Sequence, residues 1–247
     1  MSSKPGKWNG FFGTLFRVAM GLVFLVLPGF PAPPTRTLEQ GTHRIEITLE
    51  QMQDSKWIAV DPALVLPSGS FVRFRMKAAF EGFLYVINLS TDGKYSLLFP
   101  RQDTGVDNRI QAGKEYAVPA TEGGFRVMGP PGHEIVYWLI SPVELKQPTE
   151  LAKSLHEPLP PPPDRKSPVT LLPRCDETMF RARGECIDTS AGPQKISNAS
   201  DLPESFSGIQ GATGRGLEFS RQEKATVVSA AESGSDPVIF EFHLAHR

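Results

Sequence analysis

The segment His133-Glu-Ile-Val-Tyr137 holds the first histidine and the glutamate of a helical zinc-protease motif, with tyrosine in place of the second histidine. That motif needs a helix, so that positions i and i+4 converge on one metal ion. Here the residues alternate as in a strand, which would set positions 133 and 137 roughly 13 Å apart. No single zinc ion spans that gap. Cys175 and Cys186 are separated by ten residues. Metal binding would need two more soft ligands nearby, and the local candidates are carboxylates (Asp176, Glu177, Glu185). In an oxidising compartment the pair is expected to form a disulfide, worth on the order of 3 kcal/mol in the chain-entropy picture.

Other combinations are weaker still. Asp103, Asp107 and Asn108 could offer oxygen to calcium, but their spacing fits no EF-hand, and these residue types are ordinary turn formers. Gly208 to Gly216 is rich in glycine, yet lacks the Lys-Ser/Thr of a phosphate loop and follows no strand. His43, His243 and His246 would approach one another only if the two terminal strands pair. No Gly-x-Ser-x-Gly elbow is present. No catalytic, cofactor-binding or metal-ligating residue is assigned, and no cofactor is expected.

The elements around these residues read as strands. In His43 to Glu50 the apolar positions Ile45, Ile47 and Leu49 share one face, the mark of a half-buried strand. Val72, Phe74 and Met76 repeat the pattern against Arg73, Arg75 and Lys77. Phe83–Ser90 and Tyr95–Phe99 flank Thr91-Asp-Gly-Lys94, a hairpin signal of the type I′ kind. Phe83, Tyr85, Ile87 and Leu89 share a face read as core. Runs from Arg109 to Pro119, Phe125 to Met128 and His133 to Ser141 continue the series. The last is apolar on both faces, as in a central strand covered on two sides. The fold class expected is all-β, an antiparallel sandwich of immunoglobulin-like or jelly-roll-like form spanning residues 38–145.

Beyond Ser141 the character changes. Pro148 to Glu157 suits a short helix, and Pro158 to Pro163 a polyproline spacer. Residues 146–235 read as linker and irregular insert, holding the cysteine pair, with weak strands at Leu217–Phe219 and Ala225–Val228. A clear strand pattern returns in residues 236–247. It is expected to rejoin the sandwich beside the His43 to Glu50 strand.

At the other end, Lys4, Lys7 and Arg17 precede the 13-residue apolar run Val18–Phe30, and the first acidic residue is Glu39. A basic stretch before a short apolar run is the form of a secretory signal. Residues 1–34 are read as a signal peptide. A cut after Ala32 would place Phe30 where a small residue is wanted, so an inner-membrane anchor over residues 11–30 is the alternative. The chain is expected to be exported to the periplasm or cell envelope. Charge is balanced, 26 basic against 27 acidic residues. No basic stripe exists to neutralise phosphates, so nucleic acid is not an expected partner. The 22 glycines and 23 prolines exceed the usual combined share of about 12%, which favours short strands and turns over helices.

Several pieces together resemble the bacterial domain of unknown function 4384. They are Trp57 with Val60-Asp61, Gly69 with Val72-Arg73-Phe74, and Gly82-Phe-Leu-Tyr-Val-Ile-Asn88. Leu98-Phe-Pro100, Asp107-Asn108, Ala112-Gly113, Tyr116 with Pro119, and Gly132-His-Glu134 complete the set. The resemblance covers Trp57 to Ser141. It implies a β-sandwich in an exported or envelope protein and carries no catalytic residues. The function expected is a non-catalytic interaction module whose partner is another envelope protein. The membrane would enter only through an uncleaved N-terminal segment. Two rivals stand beside it. One is a hydrolase or metal-dependent enzyme with scattered site residues. The other is a glycan- or peptidoglycan-binding sandwich using Trp57, Tyr85 or Trp138.

Overall fold

The computed structural model describes residues 43–145, 171–196, 216–230 and 237–247. The expected leader (1–34), the Pro148–Glu157 helix, the polyproline spacer and all but the last residue of the glycine-dense loop lie outside them. Among the described residues no helix is long and apolar enough to cross a membrane. The strands, in chain order, are β1 (His43–Gln53), β2 (Lys56–Ala59), β3 (Phe71–Ala78), β4 (Gly82–Leu89), β5 (Tyr95–Phe99), β6 (Arg109–Ile110), β7 (Glu115–Val118), β8 (Phe125–Arg126), β9 (Gly132–Ser141), β10 (Gly192–Gln194), β11 (Leu217–Gln222), β12 (Ala225–Ala230) and β13 (Val238–His246). Among the described residues one helix, α1 (Glu177–Arg183), lies between β9 and β10.

Two antiparallel sheets pack face to face. The first runs β11-β12-β1-β3-β7, with β2 sharing an edge of β1 and β8 an edge of β3. The second runs β10-β13-β9-β4-β5, with β6 on β4. Period-two alternation decides which side chains meet between them. The first sheet sends in Ile45, Ile47 and Leu49 from β1 and Val72, Phe74 and Met76 from β3. Leu84 and Val86, Val136, Trp138 and Ile140, and Phe240, Phe242 and Leu244 answer from the second. Phe74 stands edge-on to both Trp138 and Phe242, each with ring centroids 5.2 Å apart. The expected all-β sandwich is the observed one.

The far face of the second sheet is buried too. Tyr85, Ile87, Ile135, Tyr137, Leu139 and Ile239 form a separate apolar cluster with Ile196, which follows β10. The row Phe83, Tyr85, Ile87, Leu89 therefore lies on this outer side, and Leu84 and Val86 supply the inter-sheet contacts. Both rows on β4 are apolar, so alternation alone could not tell them apart.

The C-terminal strand rejoins the sandwich, but not beside β1. β13 lies between β9 and β10, pairing with β9 from Val238 opposite Ile140 to His246 opposite Gly132. The place beside β1 is taken by β12, from His43 opposite Ala230 to Thr48 opposite Ala225. β11 and β12, the weak strands of the supposed irregular insert, thus complete the first sheet. Their apolar residues are few, and Leu217 and Val228 both join the main core.

Turns depart from expectation in one respect. The β4–β5 hairpin forms, with Gly93 at φ 80°, but Asp92 is outside the left-handed region, so the turn is not type I′. The hairpin with both loop residues left-handed joins β1 to β2, at Asp54 (φ 48°) and Ser55 (φ 62°). Asp tolerates that conformation better than most residues, though less readily than glycine.

Alternation along β3 yields a paired test. Phe74 is fully buried and Phe71 is 45% exposed. Phe74→Ala is expected to cost about 3–5 kcal/mol of unfolding free energy in urea, and Phe71→Ala about 0.5 kcal/mol. Equal costs would refute the assignment of faces.

Candidate functional site

The inward rows of the second sheet turn polar at one end of the sandwich. On β4 the row runs Leu84, Val86, Asn88. On β9 it begins Glu134, Val136, Trp138. On β13 it ends Phe242, Leu244, His246. Antiparallel pairing brings these ends together, with Glu134 opposite Leu244 and Asn88 opposite Val136. A cavity of about 420 Å³ opens there, within the usual range of ligand sites, roughly 300–1,000 Å³. Val72 and Phe74 wall it from the first sheet, and Leu98, Val136 and Leu244 from the second. Its mouth lies between the β4–β5 turn, carrying Thr91, Asp92 and Lys94, and the chain from Arg126 to Pro130.

Asn88 Nδ2 donates to Glu134 Oε2 at 2.9 Å. Asn88 is 7% exposed, and its Oδ1, like Thr91 Oγ1, has no hydrogen-bond partner among the described residues. An unmet buried acceptor costs on the order of 1–3 kcal/mol. Burial pushes the Glu134 carboxyl up to about 7; the bond from Asn88 opposes the rise and the charge of Asp92 adds to it. Asp92 itself is held below the usual carboxylate range by hydrogen bonds from Lys94 and Ser90. His246 is wholly buried, with Nε2 3.9 Å from Glu134 Oε1. Burial, then the charge of His133, lower its pKa. Neither of its ring nitrogens has a hydrogen-bond partner among the described residues.

On the opposite side of β9, His133 meets the cross-linked loop. Cys175 and Cys186 are paired, with Cα atoms 4.8 Å apart. The loop between them holds α1, capped by Asp176, whose side chain accepts from Met179 N at 2.9 Å. Beyond Cys186, Asp188 Oδ2 lies 3.3 Å from His133 Nε2, and Ser190 Oγ lies 3.4 Å from the same nitrogen. Ser, His and Asp thus come together, but not as a proton relay. In a relay the serine and the carboxylate sit on opposite ring nitrogens. Here both face Nε2, Ser190 Oγ donates to Asp188 Oδ1 at 2.6 Å, and His133 Nδ1 is 3.1 Å from Leu171 O. The group fastens the loop to β9. Burial raises the Asp188 carboxyl, and bonds from Ser190 and Arg174 outweigh it, leaving a net lowering.

The remaining candidates scatter. Asp103 pairs with Arg101, Asp107 Oδ1 accepts from Arg109 N at 3.1 Å, and Asn108 is buried, donating to Leu84 O at 3.3 Å. The two aspartates serve their own turns, and Asn108 ties its loop to β4. His43 packs on Phe80 in the first sheet, 4.5 Å between centroids. His243 lies in the second, 2.8 Å from Glu241. The three histidines named from the sequence do not converge. No group of three metal-binding side chains occurs among the described residues. Tyr85 and Trp138 are wholly buried. Trp57, half-buried, lies beneath the Arg73 guanidinium at 4.5 Å. A Cβ on Gly124 would come within 2.5 Å of the Trp57 ring, so glycine there is what lets that ring lie flat.

Residues 65–144 match the model of a family described as a domain of unknown function (DUF4384). The match spans about a third of the chain and includes Asn88, Asp92, Lys94, Arg126 and Glu134. Trp57 and Val60-Asp61 fall before it, and Leu244 and His246 after it. No curated protein and no solved structure matches the chain.

The raised Glu134 carboxyl has a thermodynamic consequence. Because the folded state holds this proton more tightly, the group favours folding fully below its unfolded value near 4.5. That advantage is lost as pH climbs through about 7. Between pH 5 and pH 8, unaltered protein should lose on the order of 2 kcal/mol relative to Glu134→Gln in urea unfolding. A difference independent of pH would count against it.

Proposed function

We propose that the protein is an exported, envelope-associated interaction module that binds another envelope protein without catalysing a reaction, using the cavity at the polar end of its sandwich. The observation that carries this reading is the pairing of apolar walls with unmet polar atoms, Asn88 Oδ1 and Thr91 Oγ1, beside the Glu134 carboxyl. Native interiors seldom leave such groups unmet without a use. Export is supported by the basic stretch and apolar run before Pro31, and by the cysteine pair, which suits an oxidising compartment.

The rival hydrolytic reading draws on one fact. A carboxyl raised to about 7 is poised for general acid–base work. It lacks a partner in a defined second role, since Asp92 is committed to Lys94 at 2.6 Å. A glycan platform would need exposed flat rings, and the burial of Tyr85 and Trp138 withdraws two of its three candidates.

A photo-reactive residue in place of Met128, at the mouth, should cross-link one specific envelope protein in cells. The same residue at Val106, an exposed position away from the cavity, should not. Equal labelling from both positions, or a reporter behind residues 1–34 that stays in the cytosol, would overturn the reading. Hydrolysis of an envelope substrate that is abolished by Glu134→Gln would establish the rival.

A further inference from the structure

Resting on that reading, we propose that the cavity receives a lysine side chain of the partner polypeptide, its aliphatic stem lying between the two sheets and its ammonium reaching Glu134 and Asn88. Glu134 is a half-buried carboxyl, its side chain 14% exposed, without a lysine or arginine partner among the described residues. Its near neighbours are the Asn88 amide at 2.9 Å and His246 Nε2 at 3.9 Å. Besides the nearby His246 ring nitrogens, there are unmet atoms lining the cavity itself: Asn88 Oδ1, an acceptor, and Thr91 Oγ1, which can accept. An ammonium brings three donors and one positive charge to this spot. A buried carboxylate is stabilised when an opposite charge is placed within about 4–6 Å.

The walls suit the rest of the side chain. Val72, Phe74, Leu98, Val136 and Leu244 offer hydrocarbon on both sides of a linear stem, and lysine readily lays its methylenes along such surface. The two cations at the mouth do not close it. Lys94 is tied to Asp92 at 2.6 Å, and the Arg126 guanidinium lies over the Phe71 ring at 5.9 Å. A polypeptide fits the entrance better than a free diamine. Met128, 57% exposed, lines the mouth and gives flanking residues of a chain somewhere apolar to rest.

The probes are N-acetyl-lysine methylamide, its norleucine counterpart and cadaverine, titrated against the whole exported protein and followed by amide chemical shifts. The lysine probe should bind at least tenfold tighter than norleucine and tighter than cadaverine, with shifts centred on Asn88, Thr91 and Glu134. Glu134→Gln and Asn88→Ala should each lose most of that binding while Val106→Ala, exposed and away from the cavity, keeps it. If a cavity variant fails to fold, the shift map on unaltered protein decides. Affinity should rise about fourfold from pH 6.5 to pH 8 as Glu134 ionises. Asp92, lowered, and Lys94, raised, keep their charges over that range, and His246 is already lowered by burial.

Norleucine binding as tightly as lysine, or shifts centred elsewhere, would overturn the inference. Cadaverine binding as tightly as lysine would overturn the polypeptide occupant. Silence from every probe while the Met128 cross-link persists would remove this inference and leave the interaction module standing. Silence from both would remove the two together.

Discussion

The period of two along each strand is the constraint on which everything else in this molecule depends. Once Phe74 is wedged between Trp138 and Phe242, every second residue on β3, β9 and β13 is committed to the interior. A slip of one position would turn every row over. The commitment does not stop where the apolar residues stop. Asn88, Glu134 and His246 are in phase with the core and so are drawn inward, whatever their hydration demands. For Asn88 and Glu134 that polarity comes at the last rung, where a cavity replaces close packing.

The second sheet has a further task, because it is covered on both sides. Its inner face meets the first sheet, and its outer face carries a second apolar cluster. This explains why β9 and β13 read as nearly unbroken apolar runs while β1 and β3 alternate cleanly. Polar contacts then fix what lies around them. Asp61, buried at 5% exposure, is held by Arg221 on β11 and by Arg183, the last residue of α1, at 3.6 Å. Backbone bonds from Val65 N to Cys186 O and from Asp188 N to Ala63 O, 2.8 and 2.9 Å, seat the cross-linked loop on the segment leading to β3. Excess proline and glycine in the sequence did not prevent these later segments from being ordered.

Strands with one buried face were legible in the sequence, as was the double-sided burial of β9, because period and composition report burial directly. Three things were not. The neighbour of β13 could not be read, since an apolar strand fits any vacancy, and β12, with only Val227 and Val228 as strong apolar residues, gave little sign that it would fill the one beside β1. The Asp54-Ser55 hairpin lacks the glycine that usually marks such a turn. The cavity was the hardest. In the sequence Glu134 stands in a failed zinc motif and Asn88 at the end of an apolar run, and both fall among the pieces that resemble the family, with nothing to link them to each other. What joins them is antiparallel register between strands some fifty residues apart, which no local pattern carries. Counting each inward row to its first polar residue would have singled out both.

The stretch that matches the family model ends at residue 144, before β12 and β13 and after β1 has already passed. β1 and β13 are both interior members of their sheets. A fragment trimmed to the matched boundaries would therefore be no smaller version of the fold. It would bare the flanks of β3 and β9 as open hydrogen-bonding edges and strip the cover from Phe74 and Trp138. Such fragments tend to recruit further copies of themselves. The recognisable part of this chain is thus the inner portion of a larger object, completed by lengths of polypeptide from both sides that the family model does not cover.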